Sequence, residues 1–299
     1  MMKLLGLHLL LTYKCNYQCD HCFVWGSPSQ CGTMSLEIID NILQQAKELD
    51  SIRSIYFEGG EPMLYYPILL TGVQSARKLG FSTGIVTNGY WASNVRDAIT
   101  WLHPFSSYLD DLSVSIDSFH SNSLPEKLAE IVRSAAGQTD IPIGFISIAE
   151  PPTSGSKSSS GQLPDGESDV MYRGRAAIKL APHAPSQPWN TYTECPYENM
   201  IEPGRVHIDP LGNIHICQGI SIGNMFQTSL SQICKAYHPE NHPITGPLLK
   251  GGPAELVRLY GLPNNDGFAD ACHLCYTARA ALRNRFPEVL SPDQVYGKF

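Results

Sequence analysis

The sequence predicts an α/β protein built on a parallel sheet. Two observations carry this. In the first half, short apolar strands alternate with amphipathic helices, as in βα units stacked into a parallel sheet. Two of those strands also end in glycine-bearing turns, at Gly59-Gly60 and at Asn88-Gly89. The second half reads differently, with a hairpin and scattered cysteines, and predicts a smaller C-terminal unit.

Leu4 to Tyr13 is the first strand. An export signal fits it poorly, because Gly6 and His8 interrupt the apolar run and no small-residue cleavage site follows. Leu36, Ile39, Leu43, Ala46 and Leu49 recur at near-helical spacing behind Ser35, a residue suited to an N-cap. A strand from Ile52 to Phe57 precedes a helix from Tyr66 to Leu79, which Gly80 closes. Phe81 to Thr87 is the third strand and Val95 to His103 the next helix. Leu112 to Asp117 then forms a strand, Leu124 to Ala136 a helix and Ile141 to Ala149 a strand. Strand four alternates: Leu112, Val114 and Ile116 share one face, Ser113, Ser115 and Asp117 the other. A polar face turned to an interior needs something polar to meet there.

Pro151 to Ser168 is rich in Ser, Pro and Gly and reads as a connection, or as a lid over a site. Met171-Tyr172-Arg173-Gly174-Arg175-Ala176 is expected beside a short sixth strand. Further on, Arg205 to Cys217 reads as two alternating strands turning at Pro210 and Gly212, and Cys272-His273-Leu274-Cys275 opens the final helix.

The 299 residues, 42% hydrophobic, are enough for a large core. A net charge of −7 without Lys/Arg clusters argues against nucleic acid as a partner. No apolar run reaches the roughly 20 residues of a membrane span. Nine cysteines without an export signal point to thiolate ligands in a reducing, cytoplasmic setting and not to disulfides.

The chemistry concentrates in two motifs. Cys15, Cys19 and Cys22 lie in Cys-Asn-Tyr-Gln-Cys-Asp-His-Cys, just after the first strand. Three thiolates on one loop can hold three irons of a cubane and leave the fourth open, and an open coordination position marks a reactive site. The second motif, Glu58-Gly59-Gly60-Glu61-Pro62, closes the second strand. Residues without Cβ let the backbone approach a ligand closely.

With both motifs at this separation, the chain resembles the radical S-adenosylmethionine (SAM) superfamily. The resemblance implies an open, partial (βα)6 TIM-like barrel over residues 1–180, in preference to a doubly wound sheet. It also implies a [4Fe–4S] cluster on Cys15, Cys19 and Cys22, whose open iron binds the methionine half of SAM. Gly59, Gly60 and Glu61 are then cofactor contacts, with Ser115 and Asp117 near the ribose and His21 against the adenine. Reductive cleavage of SAM to a 5′-deoxyadenosyl radical follows, fed by a donor such as flavodoxin or ferredoxin.

Residues 181–299 resemble a twitch domain, a short relative of the SPASM domain. Cys195, Gly212, Cys217 and the Cys272/Cys275 pair match its pattern. Four thiolates suit zinc or a second, auxiliary [4Fe–4S] cluster, and spacing does not separate the two; the resemblance favours the cluster. Cys31 and Cys234 are expected to be buried thiols, with Cys234 a substitute for Cys195. His21, His215 and His273 lie near these cysteines without being expected ligands. The implied substrate is a peptide or protein side chain, or else a small molecule. No acid or base is named; Tyr90, Trp91, Glu150, Tyr172 and Arg175 fall near strand ends.

Overall fold

The computed structural model describes residues 2–120, 125–149, 166–264 and 267–298. Glu150 and the connection from 151 to 165 lie outside the described residues.

The first half holds β1 (Leu4–Thr12), α1 (Leu36–Glu48), β2 (Ser54–Gly59), α2 (Tyr66–Lys78), β3 (Ser82–Thr87), α3 (Val95–Leu102), β4 (Asp111–Ser115), α4 (Pro125–Gln138), β5 (Ile143–Ile148) and β6 (Gly166–Ser168). Then come α5 (Ala176–Lys179), β7 (Gln187–Pro188), β8 (Gly204–Ile208), β9 (Asn213–Cys217), β10 (Ile220–Asn224), α6 (Leu230–Ala236), α7 (Thr245–Tyr260), β11 (Gly267–Phe268) and α8 (Ala271–Leu282).

β1 reads as an almost unbroken apolar run because both of its faces are covered. Leu7, Leu9 and Leu11 are buried, and so is Leu10. The helices cover the outer face with amphipathic stripes. In α1 the Ser35 hydroxyl accepts the Ile38 N–H at 3.2 Å, and Ile39, Ile42, Leu43 and Ala46 face the core. Leu36, expected on that stripe, is 38% exposed, and Ile42 takes its place.

Strands β1 to β6 pair in parallel and in sequence order, the pattern of an open barrel wall. The sixth strand is Gly166–Ser168, and the Met171–Ala176 stretch that follows it forms a loop and the start of α5. The hairpin β8–β9 does not stand apart. β8 pairs in parallel with β1, so one nine-stranded sheet runs β10-β9-β8-β1-β2-β3-β4-β5-β6 and includes residues from both sides of position 180.

One row of residues crosses five strands in register. His207 on β8 is opposite His8 on β1, His8 opposite Tyr56 on β2, Tyr56 opposite Gly84 on β3, and Gly84 opposite Asp111 on β4. The Tyr56 ring lies across the space that Gly84 leaves. A Cβ on Gly84 would sit 2.2 Å from Tyr56 Cε1.

Candidate active site and cysteine centres

The loop after β1 folds back on the end of its own strand. Tyr13 N–H bonds the Gly32 carbonyl, and Cys15 N–H bonds the Ser27 carbonyl, each at 3.1 Å. Cys15, Cys19 and Cys22 thereby face a cavity inside the barrel. Two of the three sulfurs receive backbone donors: Tyr17 N–H reaches Cys15 Sγ at 3.4 Å and Gly26 N–H reaches Cys22 Sγ at 3.2 Å. Burial pushes the Cys15 thiol up to about 12, so its thiolate needs a cationic partner.

Gly59 and Gly60 also line this cavity. Their lack of a side chain is demanded by the protein itself. A Cβ on Gly59, at φ +137°, would lie 2.4 Å from the Thr12 carbonyl oxygen, and one on Gly60 would lie 2.2 Å from that of Lys14. The end of β2 is thus pressed against the root of the cysteine loop, with Gly60 N–H bonding the Thr12 carbonyl at 2.7 Å.

Glu61, expected to touch the cofactor, is fully buried, and its carboxylate is taken up within the protein. Oε1 accepts from Met63 N–H at 2.9 Å and from the Thr87 hydroxyl at 2.8 Å; Oε2 accepts from Asn88 N–H at 2.8 Å. It clamps the end of β2 to the end of β3. Burial raises its pKa to about 7 despite these donors. Asn88, which sequence reasoning noted only as part of a turn, is the residue that reaches the cavity. Its amide donates to Asn16 Oδ1 at 2.9 Å.

Ser113, Ser115 and Asp117 all line the cavity, and Leu112 and Val114 are buried on the opposite face. Asp117 accepts from Phe119 N–H at 3.1 Å and from Ile148 N–H at 3.2 Å, and pairs with His120 Nδ1 at 2.7 Å. Burial works against its charge, but the His120 hydrogen bond, the neighbouring His120 and His21 rings and the Ile148 N–H together outweigh burial and hold its pKa below the usual value. His21 packs against Phe119 and His120, with centroids 4.7 and 4.9 Å apart. Burial, and then the neighbouring His120, lower its pKa to about 4.

The Arg173-Gly174-Arg175 segment fastens the loop from above. Arg175 is buried and donates to the Cys19 carbonyl at 2.6 Å and the Gly26 carbonyl at 2.8 Å, while its own N–H bonds the Cys22 carbonyl at 2.9 Å. Gly174, at φ +60°, permits the contact, since a Cβ there would lie 2.5 Å from Phe23 Cα. The sequence places Arg175 near a strand end and both arginines in the Met171–Ala176 segment, but gives neither of them a role. Tyr90 and Trp91 pack with Trp101 outside the cavity, and the Tyr172 N–H is bonded to Asp270.

Cys195, Cys217, Cys272 and Cys275 line one small cavity together with Arg173, Glu198 and Arg279. Asp270 caps α8 by accepting from His273 N–H at 2.6 Å, which sets Cys272 and Cys275 in the first turns of the helix. Cys234 is buried elsewhere, its carbonyl bonded to Met2 N–H, and does not replace Cys195. Cys31, expected to be buried, is exposed. His215 is buried against Asp209 at 3.2 Å, and His273 Nδ1 accepts from Ala269 N–H at 3.1 Å. Among the described residues, no three cysteine sulfurs lie within 4.8 Å of one another, and no helix is long and apolar enough to cross a membrane.

The fold and the three-cysteine cavity define a domain of the radical SAM class. Residues 9–139 match the radical SAM superfamily, so the chain carries a radical SAM domain. Such a domain implies one [4Fe–4S] cluster and SAM. The chain is 29% identical over 130 residues to an S-adenosylmethionine-dependent nucleotide dehydratase of Pseudoalteromonas ulvae; this match spans 38% of the chain and 40% of that relative. The curated relatives matched first are spanned over no more than 40% of their own length. Two solved structures share the fold. BtrN in complex with AdoMet and 2-DOIA aligns with a TM-score of 0.53 at 18% identity, over 78% of this chain and 83% of its own. The anSMEcpe enzyme with bound AdoMet and Cp18Cys peptide aligns with a TM-score of 0.52 at 13% identity, over 95% of this chain and 97% of its own.

Proposed function

We propose that the chain is an oxidative radical SAM enzyme acting on a peptide or protein side chain, with two four-iron clusters. The observation that carries the oxidative reading is that Arg173 lines both the three-cysteine and the four-cysteine cavity. A second cluster there would stand within reach of electrons released in the first cavity.

When bound, a reduced cluster with SAM supplies a 5′-deoxyadenosyl radical that takes hydrogen from an unactivated carbon. The chain's own residues bind, orient and exclude water. Cys15, Cys19 and Cys22 would hold the first cluster, with the backbone donors from Tyr17 and Gly26 already aimed at sulfur. Gly59, Gly60, Ser115, Asn88 and Asp117 offer polar contacts to SAM from the wall that they line, and His21 offers its ring to the adenine.

Cys195, Cys217, Cys272 and Cys275 would hold the second cluster. A tetrahedral zinc ion with bonds of about 2.3 Å would draw its sulfurs to roughly 3.8 Å apart. Four thiolates suit either this ion or a cube of four irons, and the radical SAM domain in the same chain favours the cube. Arg173 and Arg279 supply compensating positive charge beside it.

The peptide reading is supported by the correspondence of fold with anSMEcpe along nearly the whole chain. A small polar molecule is the second reading, favoured by the His8, Glu58, Arg205 and His207 side chains that line the inner barrel. Anaerobic reconstitution is expected to give about eight irons per chain. Replacing Cys15, Cys19 and Cys22 together by alanine should leave about half of them and end 5′-deoxyadenosine formation from SAM and dithionite. Persistent deoxyadenosine in that variant rejects the assignment.

A further inference from the structure

Away from the cysteines, three side chains on neighbouring strands converge on the inner wall of the barrel. His8 comes from β1, Glu58 from β2 and His207 from β8. His8 Nδ1 lies 3.0 Å from Glu58 Oε2, and His207 Nε2 lies 3.1 Å from Glu58 Oε1. All three line the same cavity as the three-cysteine loop. Each is nearly removed from solvent, with side-chain exposures of 10%, 13% and 9%.

The geometry distinguishes this group from an ordinary buried ion pair. Each carboxylate oxygen of Glu58 meets a different imidazole, and one carboxylate oxygen and one ring nitrogen from each histidine all lie within 4.8 Å of one another. Imidazole and carboxylate are both ligand groups for divalent first-row metals.

We propose that His8, Glu58 and His207 form a mononuclear site for a divalent first-row transition metal ion. Two imidazoles and one carboxylate suit Fe²⁺, Co²⁺ or Zn²⁺, and leave coordination positions for water or for an oxygen or nitrogen of the substrate. The surroundings hold the ligands in place. The Tyr56 ring stacks on His8, with centroids 4.9 Å apart and planes 11° from parallel. Tyr56 is itself tied through its hydroxyl to Asp111. The site does not depend on what the cysteines carry, so its failure and the failure of the proposed function are separable.

The test uses the anaerobically reconstituted protein, whose cysteines are occupied, titrated with Co²⁺. Metal is counted after gel filtration, and the Co²⁺ protein is examined by pulsed EPR. The expected result is one Co²⁺ per chain beyond the cluster iron, with nitrogen couplings from two imidazoles. Glu58→Gln and His207→Gln should each weaken binding at least tenfold with cluster iron unchanged. Absence of stoichiometric Co²⁺ overturns the site. So does Co²⁺ that lacks imidazole couplings, or that binds as tightly in both variants. The couplings are read on the unaltered protein, so the proposal stays testable if a variant fails to fold.

Discussion

Arg173 donates from Nη1 to Cys217 Sγ at 3.3 Å. The same guanidinium lies 5.2 Å from the centroid of the Phe23 ring, directly after Cys22, and pairs with Glu198 Oε1 at 3.6 Å. One side chain thus touches the walls of both cysteine centres. Hydrogen bonds to cluster sulfurs are among the factors that set reduction potential, and a donor that draws electron density from sulfur favours the reduced state. Arg173→Met should therefore make the potential of the proposed C-terminal cluster more negative. Arg173→Lys, which keeps a charge but loses the fork, should fall between. An EPR-monitored redox titration reads this directly, and an unchanged potential in the methionine variant would reject the role.

Arg175 acts on the first loop by a different route, through carbonyls. Its two donors satisfy the Cys19 and Gly26 carbonyls, and its guanidinium lies 5.2 Å from the centroid of the Trp25 ring. Arg175→Met strands both carbonyls in a buried place, at about 1–3 kcal/mol each. A lower melting temperature is expected, together with loss of iron from the N-terminal centre alone. Full iron and an unshifted melt would show that the loop holds itself.

These arginines mark the limit of what the sequence discloses. Cys15, Cys19 and Cys22, the glycine pair and the polar face of β4 are local patterns, readable because spacing along the chain fixes which side chains share a loop or face. The His8, Glu58 and His207 group is assembled from strands far apart in sequence. Nothing in the hairpin pattern reveals that β8 pairs with β1. For Glu61 the family resemblance implies a cofactor contact, whereas its role as a clamp emerges only where β2 meets β3. The glycines suit close approach of a ligand, and the Thr12 and Lys14 carbonyls independently exclude a Cβ at both positions.

Glu61 gives a pH dependence with a definite sign. Its folded pKa is raised to about 7 from an ordinary value of 4.5, chiefly by burial. Between those values the folded state holds a proton that the unfolded state has released. Stability from this group is full below 4.5 and falls as pH rises through 7, by about 3 kcal/mol in all. Glu61→Gln should be less stable at acid pH, because its amide faces the Asn88 N–H, but should lose that slope. Urea midpoints taken from pH 4.5 to 7.5 would show it; an equal slope in both proteins assigns the titration elsewhere.

Gly84 and Tyr56 supply a test of packing. With Tyr56 in place, a methyl at position 84 would overlap the ring, its Cβ only 2.2 Å from Cε1. Gly84→Ala must displace the ring from its stack on His8, at about 1–3 kcal/mol for an overpacked core position. Removing the ring first, with Tyr56→Ala, opens the space. The alanine at position 84 should then be tolerated, and its greater β propensity over glycine should even help. A double-mutant cycle by urea denaturation is expected to show a coupling of about 0.5–3 kcal/mol between the two positions. If Gly84→Ala is equally damaging in both backgrounds, the demand for glycine comes from the backbone of β3 and not from the tyrosine.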